Sequence, residues 1–248
     1  PLWLWWYLQP PIRLYVHTNA VIDQRFFRIR NDDGSETAAT WLALEDVNAT
    51  LDVDKNYRIR FTLDDTANGI LNNLQPQMEY NLASAGWNDV NATSLVVRAF
   101  ASTHFADDDD TTRQLTVPTG GSFISPNSGM DEDDGLAGQQ NDLDFVETVH
   151  DFVEVEFCFQ IRSVDVTDLQ TLQLRIKNAN TFTITPTITV NEAGGTSFTE
   201  VSTEAVGLTD STTPVKAATQ APTEAVDVID VVTPAKTIRI TISEAVGV

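Results

Sequence analysis

The chain has 248 residues, of which 36 are acidic and 15 are basic, so its formal net charge at pH 7 is −21. This charge argues against a nucleic-acid partner and against an anionic membrane surface, since both attract clustered lysine and arginine. Because Cys158 is the only cysteine, an intrachain disulfide and a thiolate zinc cluster are excluded.

Residues 1–11 are predicted to form an apolar, aromatic N-terminal arm. The first eight residues are too few to span a bilayer, which needs about 20, and they contain Trp3, Trp5 and Trp6. Three neighbouring tryptophans left in water would form a costly exposed patch. We therefore expect them to be covered, either by the body of their own chain or by a neighbouring subunit.

Residues 12–190 are predicted to form an all-β domain, because apolar and polar residues alternate there with a period of two. Tyr57, Ile59 and Phe61, for example, face one side of a predicted strand, and Arg58 and Arg60 face the other. This is the pattern of a half-buried antiparallel strand. The predicted strands are 12–17, 26–30, 57–63, 77–82, 94–100, 112–117, 153–162, 172–177 and 182–190.

Turn dipeptides such as Asn68-Gly69 lie between these runs. Short strands at this spacing predict an antiparallel β-sandwich of jelly-roll or immunoglobulin-like type. Residues 35–46 are predicted as a short helix or a loop. Pro186 lies inside the last run and indicates an edge position or a bulge there, because proline has no backbone N–H to donate.

Residues 191–248 are predicted to form a repeat segment, either extended or donating a strand to another sheet. Glu-Ala-Val follows a threonine or serine at 203, 223 and 243, which gives a period of 20 residues. Residues 237–242 alternate and are predicted to form a strand. The candidate subunit-interface residues are Trp3, Trp5 and Trp6 in the arm and Ile238, Ile240 and Ile242 in this strand.

Two acidic clusters are the candidate metal site, because Ca²⁺ takes six to eight oxygen ligands and loops with several carboxylates provide them. The interpretation that so acidic a chain favours is a pair of solvated acidic loops, and no other cofactor is expected. The candidate ligands are Asp107, Asp108, Asp109, Asp110, Asp131, Asp133 and Asp134.

The sequence contains no catalytic signature, so we predict that the chain is not an enzyme. It has neither a Gly-x-Ser-x-Gly nucleophile elbow nor a glycine-rich phosphate loop between a strand and a helix. Cys158 is expected to be a small buried residue, and the three histidines are expected to be structural. Trp41 or Trp87 would be the stacking platform if the domain bound a sugar.

Three stretches of the body resemble a loosely characterised family of β-rich structural proteins from tailed-phage and prophage gene clusters. Related bacterial surface proteins carry repeats of the Glu-Ala-Val-Gly type, which residues 204–207 match. The resemblance implies a structural role and transfers no catalytic residues. The stretches are 27–46, then 77–82 with Gly86-Trp87, and 96–107 with 111–115.

These observations favour a non-enzymatic structural subunit of a viral particle or surface filament, such as a phage decoration, tail or fibre component. Its expected partners are copies of itself and other virion or filament subunits, on a virion or extracellular surface. The alternative is a carbohydrate-binding lectin or adhesin domain on a repeat stalk, with surface glycans as partners.

Overall fold

The computed structural model describes residues 18–125, 127–139, 143–146 and 150–192, together with the backbone of 227–232 and 236–241. These residues belong to two units, a β-domain and a C-terminal pair of strands, which are described separately. The predicted arm, the predicted strand 12–17 and Ile242 lie outside the described residues. No helix in the described ranges has the length and apolarity that crossing a membrane requires.

The described residues form an all-β structure without an α-helix, as the alternating pattern predicted. One 3₁₀ helix, Ser163–Asp165, interrupts the strands. The strands are β1 (Ile22–Asn31), β2 (Ala49–Asp52), β3 (Asn56–Asp65), β4 (Leu71–Leu74), β5 (Met78–Leu82), β6 (Trp87–Asp89), β7 (Val97–Ala99), β8 (Ser122–Phe123), β9 (Met130–Asp131), β10 (Leu143–Phe145), β11 (Asp151–Ile161), β12 (Thr171–Ile176), β13 (Thr181–Phe182), β14 (Thr187–Asn191), β15 (Asp227–Val232) and β16 (Lys236–Thr241).

The larger sheet has the strand order β13-β1-β3-β11-β7, and the short strands β8 and β9 also pair with β11. A second sheet has the order β2-β14-β12-β5-β6, and β4 pairs separately with β10. Both larger sheets are mixed, because β13, β8, β9 and β2 run parallel to their partners. The expectation of purely antiparallel sheets is therefore wrong. Long connections bring these short strands back in the direction of their partners, which a tight hairpin cannot do.

The two larger sheets share one apolar core. The larger sheet contributes alternate residues such as Phe61 on β3 and Phe157 on β11, whose rings meet at 6.4 Å between centroids. The second sheet contributes Leu172 and Leu174 on β12, which are fully buried as well. The period-two pattern thus predicts the core face of these strands correctly.

The opposite face of the central strands is buried too, contrary to the prediction of half-buried strands. Every residue from Tyr57 to Asp65 on β3, and every residue of β11, is buried. Residues 32–46 and 111–115 lie over this face and cover it: the carbonyls of Gly34 and Thr112 accept hydrogen bonds from arginines of β3. We call these two stretches the covering segments.

Several predicted elements differ from the structure for local reasons. Residues 112–117 form no strand, because the N–H groups of Gln114 and Leu115 donate to a side chain instead of a neighbouring strand. The predicted strand 182–190 is divided, with Pro186 between β13 and β14. Residues 35–46 adopt turns, in agreement with the loop alternative.

The described part of the C-terminal unit is a pair of antiparallel strands, which we call the C-terminal hairpin. Strands β15 and β16 pair in antiparallel register from Asp227 opposite Thr241 to Val232 opposite Lys236. Strand β16 covers most of the predicted strand 237–242.

Candidate functional site

The structure brings the two predicted acidic clusters together. The N–H of Asp108 donates to the carbonyl of Met130 at 2.9 Å, and the N–H of Met130 donates to the carbonyl of Asp109 at 3.1 Å. Carboxylate oxygens of Asp107, Asp131 and Asp133 consequently lie within 4.8 Å of one another. We call these three residues the acidic cluster.

Burial and neighbouring carboxylates disfavour the charged forms of Asp107 and Asp131. Asp131 is fully buried, and both of its oxygens accept the N–H of Gly135, at 3.1 and 3.0 Å. Burial, followed by the neighbouring Asp134, raises its pKa well above the usual range. Burial also raises the pKa of Asp107 to about 6, with further contributions from Asp108, Asp133 and Asp134. The Oδ1 atom of Asp107 is buried and has no hydrogen-bond partner among the described residues.

This geometry can hold a hard divalent cation. Ca²⁺ ligands lie about 2.4 Å from the ion, so ligands on opposite sides are separated by about 5 Å. Three carboxylates within 4.8 Å match that spacing, and water would have to supply the remaining ligands. A bound cation would also relieve the repulsion among the carboxylates.

The other predicted ligands shape the loops around the acidic cluster. Asp108 Oδ1 accepts the N–H of Gln139 at 2.8 Å, and Asp109 Oδ2 accepts the N–H of Ala106 at 2.8 Å. Asp134 Oδ1 accepts the N–H of Leu136 at 2.9 Å. Asp110 is exposed and does not belong to the three-carboxylate group.

A second group of charged residues lies under the covering segments, on the face of the larger sheet that points away from the core. Strands β1, β3 and β11 present side chains there that are fully buried. We call this group the ionic layer; its members are Arg30, Arg58, Arg60, Glu154 and Glu156.

Glu156 is the centre of the ionic layer. Arg30 donates to both of its oxygens at 2.5 Å from Nη2 and at 2.8 Å from Nε. The Nε of Arg60 donates to its Oε2 at 2.6 Å, and Nη1 of Arg58 lies 3.3 Å from its Oε1. Glu154 accepts from Nη1 of Arg60 at 3.0 Å. The five side chains therefore form a network of three arginines and two glutamates away from water.

The covering segments add two carboxylates to the ionic layer. Asp32 lies 3.0 Å from Nε of Arg58, and Glu36 lies 2.5 Å from Nη2 of Arg60. Three arginines thus face four carboxylates. Burial lowers the pKa of Arg60, but the surrounding carboxylates, Glu156 first, outweigh burial and raise it overall. Burial raises the pKa of Glu36, but the charge of Arg60 and the hydrogen bonds from Thr112 and Arg60 together outweigh burial, so the net shift is downward.

The ionic layer fixes the covering segments to the sheet rather than forming an open site. Its charged groups are bound to one another, and the guanidinium of Arg30 also stacks on Trp41 at 4.6 Å from the ring centroid. The alternating pattern predicted that this face would be exposed to solvent. A usable signal was present, because Arg58 and Arg60 on one strand are matched by Glu154 and Glu156 on another.

The remaining predicted residues have structural environments. Arg28 and Arg30 lie 4.5 and 4.6 Å from the Trp41 ring centroid, and Arg175 lies 3.9 Å from the Trp87 centroid. Cys158 is buried, and burial raises the pKa of its thiol. His150 Nε2 lies 2.6 Å from Asp64 Oδ1.

The predicted interface residues are only partly placed. Ile238 and Ile240 lie within β16, whose backbone alone is described. The tryptophans of the arm and Ile242 lie outside the described residues, so their contribution to an interface stays a prediction. Comparison of the chain with protein-family models, with curated proteins and with solved structures found no match.

Proposed function

We propose that the chain is a non-enzymatic structural subunit of a viral particle or surface filament. It assembles with copies of itself, and with other subunits of the particle, through its β-domain and its terminal segments. In this proposal the two larger sheets are the layers of a β-sandwich of jelly-roll or immunoglobulin-like type. The observation that carries the proposal is a group of exposed apolar side chains on the covering segments and at their borders.

These apolar side chains come from two chain segments that touch. The N–H of Thr116 donates to Oε2 of Glu45 at 2.9 Å and joins the segments. Leu44 is 73% exposed, although the chain is strongly acidic. Grouped apolar residues on a charged surface mark interaction sites. We call the group the apolar patch; it consists of Leu42, Leu44, Val47 and Val117.

Hydrogen bonds to strand β1 hold the chain segment that carries most of the apolar patch. The N–H of Leu42 donates to the carbonyl of Ile29 at 3.0 Å, and Nε of Arg28 donates to the carbonyl of Ala43 at 2.8 Å. The N–H of Asp46 donates to the carbonyl of Phe27 at 2.9 Å. The patch is thus anchored along strand β1, so little additional ordering is needed when a partner covers it.

A substitution in the apolar patch tests this proposal. Leu44→Asp places a charge in the contact and is expected to lower the mass of the assembly measured by light scattering. Val164→Asp is the matched control, because Val164 is 76% exposed and lies in the 3₁₀ helix outside the patch. If Leu44→Asp assembles as the unaltered chain does, the patch is not a contact.

The acidic cluster favours a second candidate, a Ca²⁺-dependent carbohydrate-binding domain. Such a domain needs a cation-bearing loop beside an aromatic ring. Two arginines already lie over the Trp41 ring and one lies over the Trp87 ring, so a sugar would have to stack on a ring face that arginine leaves free. The test is a glycan array probed with and without Ca²⁺: Ca²⁺-dependent signals support this candidate, and silence in both conditions removes it.

A further inference from the structure

The C-terminal hairpin corresponds to one sequence repeat. The second repeat runs from Thr223 to Ile242, and it contains β15 and β16 with the connection 233–235 between them. The 20-residue period is therefore the length of one β-hairpin with its connection to the next repeat. Pro234, which lies between the two strands in the sequence, has its counterpart in Pro214 of the first repeat.

Both outer edges of this hairpin are open in the described part of the chain, where β15 and β16 pair only with each other. About half of the residues on each strand direct their backbone N–H and C=O groups away from the partner strand. An isolated two-stranded hairpin is marginally stable in water, and its open edges are templates for a further strand. A third strand paired with either open edge would stabilise the hairpin.

The two strands carry opposite charges. Strand β15 contains Asp227 and Asp230 and no basic residue, whereas β16 contains Lys236 and Arg239 and no acidic residue. The β15 edge of one hairpin therefore matches the β16 edge of another, and two β15 edges repel each other.

The first copy of the sequence keeps only half of these charges, with Asp210 in place of Asp230 and Lys216 in place of Lys236. Gly207 stands where the second repeat has Asp227, and Thr219 stands where it has Arg239. The same hairpin in a second molecule offers both charge pairs, whereas the first repeat offers only one.

We propose that β15 of one molecule pairs edge to edge with β16 of a second copy of this chain. The inference rests on the proposed function, because it names the contact that joins the subunits. The contact uses two different surfaces, so it is head-to-tail, and repeating it builds a ring or an open filament. The hairpins then form a continuous antiparallel sheet that crosses from subunit to subunit.

Charge reversal tests the pairing. Variant one, Asp227→Lys with Asp230→Lys, has two basic edges, and variant two, Lys236→Asp with Arg239→Asp, has two acidic edges. Each variant alone is expected to associate on the order of tenfold more weakly than the unaltered chain, because attraction at the edges becomes repulsion. An equimolar mixture is expected to recover the original mass, because the edges of the two variants are complementary.

The outcomes separate this inference from the proposed function. The readout is the mass by light scattering of the full-length chain, of each variant and of their mixture. If both variants assemble like the unaltered chain, or if the mixture recovers nothing, the hairpin pairing is wrong and assembly through the apolar patch stands. If the unaltered chain is a monomer at every concentration, both are wrong.

Discussion

Replacing Glu156 with glutamine tests the ionic layer most sharply. Three arginines converge on this carboxylate, and the shortest contacts are 2.5 Å from Arg30 and 2.6 Å from Arg60. Glutamine keeps the shape of the side chain but removes one of the four negative charges. It also replaces one acceptor oxygen with an NH₂ group, which would face an arginine donor.

The expected loss of stability is large. Removing one partner from a buried ion pair costs about 3–5 kcal/mol when the other charge is left without its partner. Arg30 would be left in this way, because Glu156 is its only carboxylate partner among the described residues. Glu156 and the three arginines are all fully buried, so water cannot take over the missing contacts. Typical domains have unfolding free energies of about 5–15 kcal/mol. The variant Glu156→Gln therefore loses a substantial share of the stability of the β-domain.

The assay is equilibrium unfolding in urea followed by circular dichroism, with the free energy taken from linear extrapolation. Asp89→Asn is the control, because Asp89 pairs with Lys177 at 2.8 Å at an exposed position, and its midpoint is expected to stay unchanged. A loss below about 1 kcal/mol for Glu156→Gln would show that water reaches the ionic layer, and the account of a closed, buried network would fail.

The acidic cluster and the glycines near it give three further predictions. The pKa of Asp107 is raised to about 6, so the folded chain binds the carboxyl proton of Asp107 more tightly than the unfolded chain does. The contribution of Asp107 to stability therefore falls as the pH rises from about 4 to 6. Asp107→Asn is thus expected to be more stable than the unaltered chain at pH 7 without metal and equally stable below about pH 4; lower stability at pH 7 would contradict this. Ca²⁺ is expected to raise the melting temperature of the unaltered chain but not that of a variant with asparagine at Asp107 and Asp131, and an equal response of both would remove the cation site. The variant Gly135→Ala is expected to have a melting temperature well below that of Gly86→Ala. Both glycines have positive φ, but only at Gly135 would the new Cβ clash with the carbonyl oxygen of Val90. Equal melting temperatures would refute this steric argument.

The core face of the β-domain could be predicted because alternation is a local property. Ile59 and Phe61 are two residues apart, so they face the same side in any strand pairing. The opposite face could not be predicted in the same way. Arg58 and Arg60 look like solvent-facing residues until residues 32–46 and 111–115, which are distant in sequence, are placed over them.

The acidic cluster shows the same limit. Asp107 and Asp131 were both candidate ligands, but nothing local indicates that their loops meet. The meeting depends on the backbone hydrogen bonds between residues 108–109 and Met130. Strand β9 pairs in parallel with β11. The alternating pattern within each strand does not predict this pairing, because it depends on the path of the connection between the two strands.

The mass of the native chain in solution is the most direct test of the structural role. Light scattering on a sizing column, with electron micrographs of the same peak, gives the number of subunits and the form of the assembly. If the chain is a structural subunit, we expect a defined oligomer or a filament. A monomer at every concentration would contradict the structural role. Carbohydrate binding at the acidic cluster would then be the function to test next.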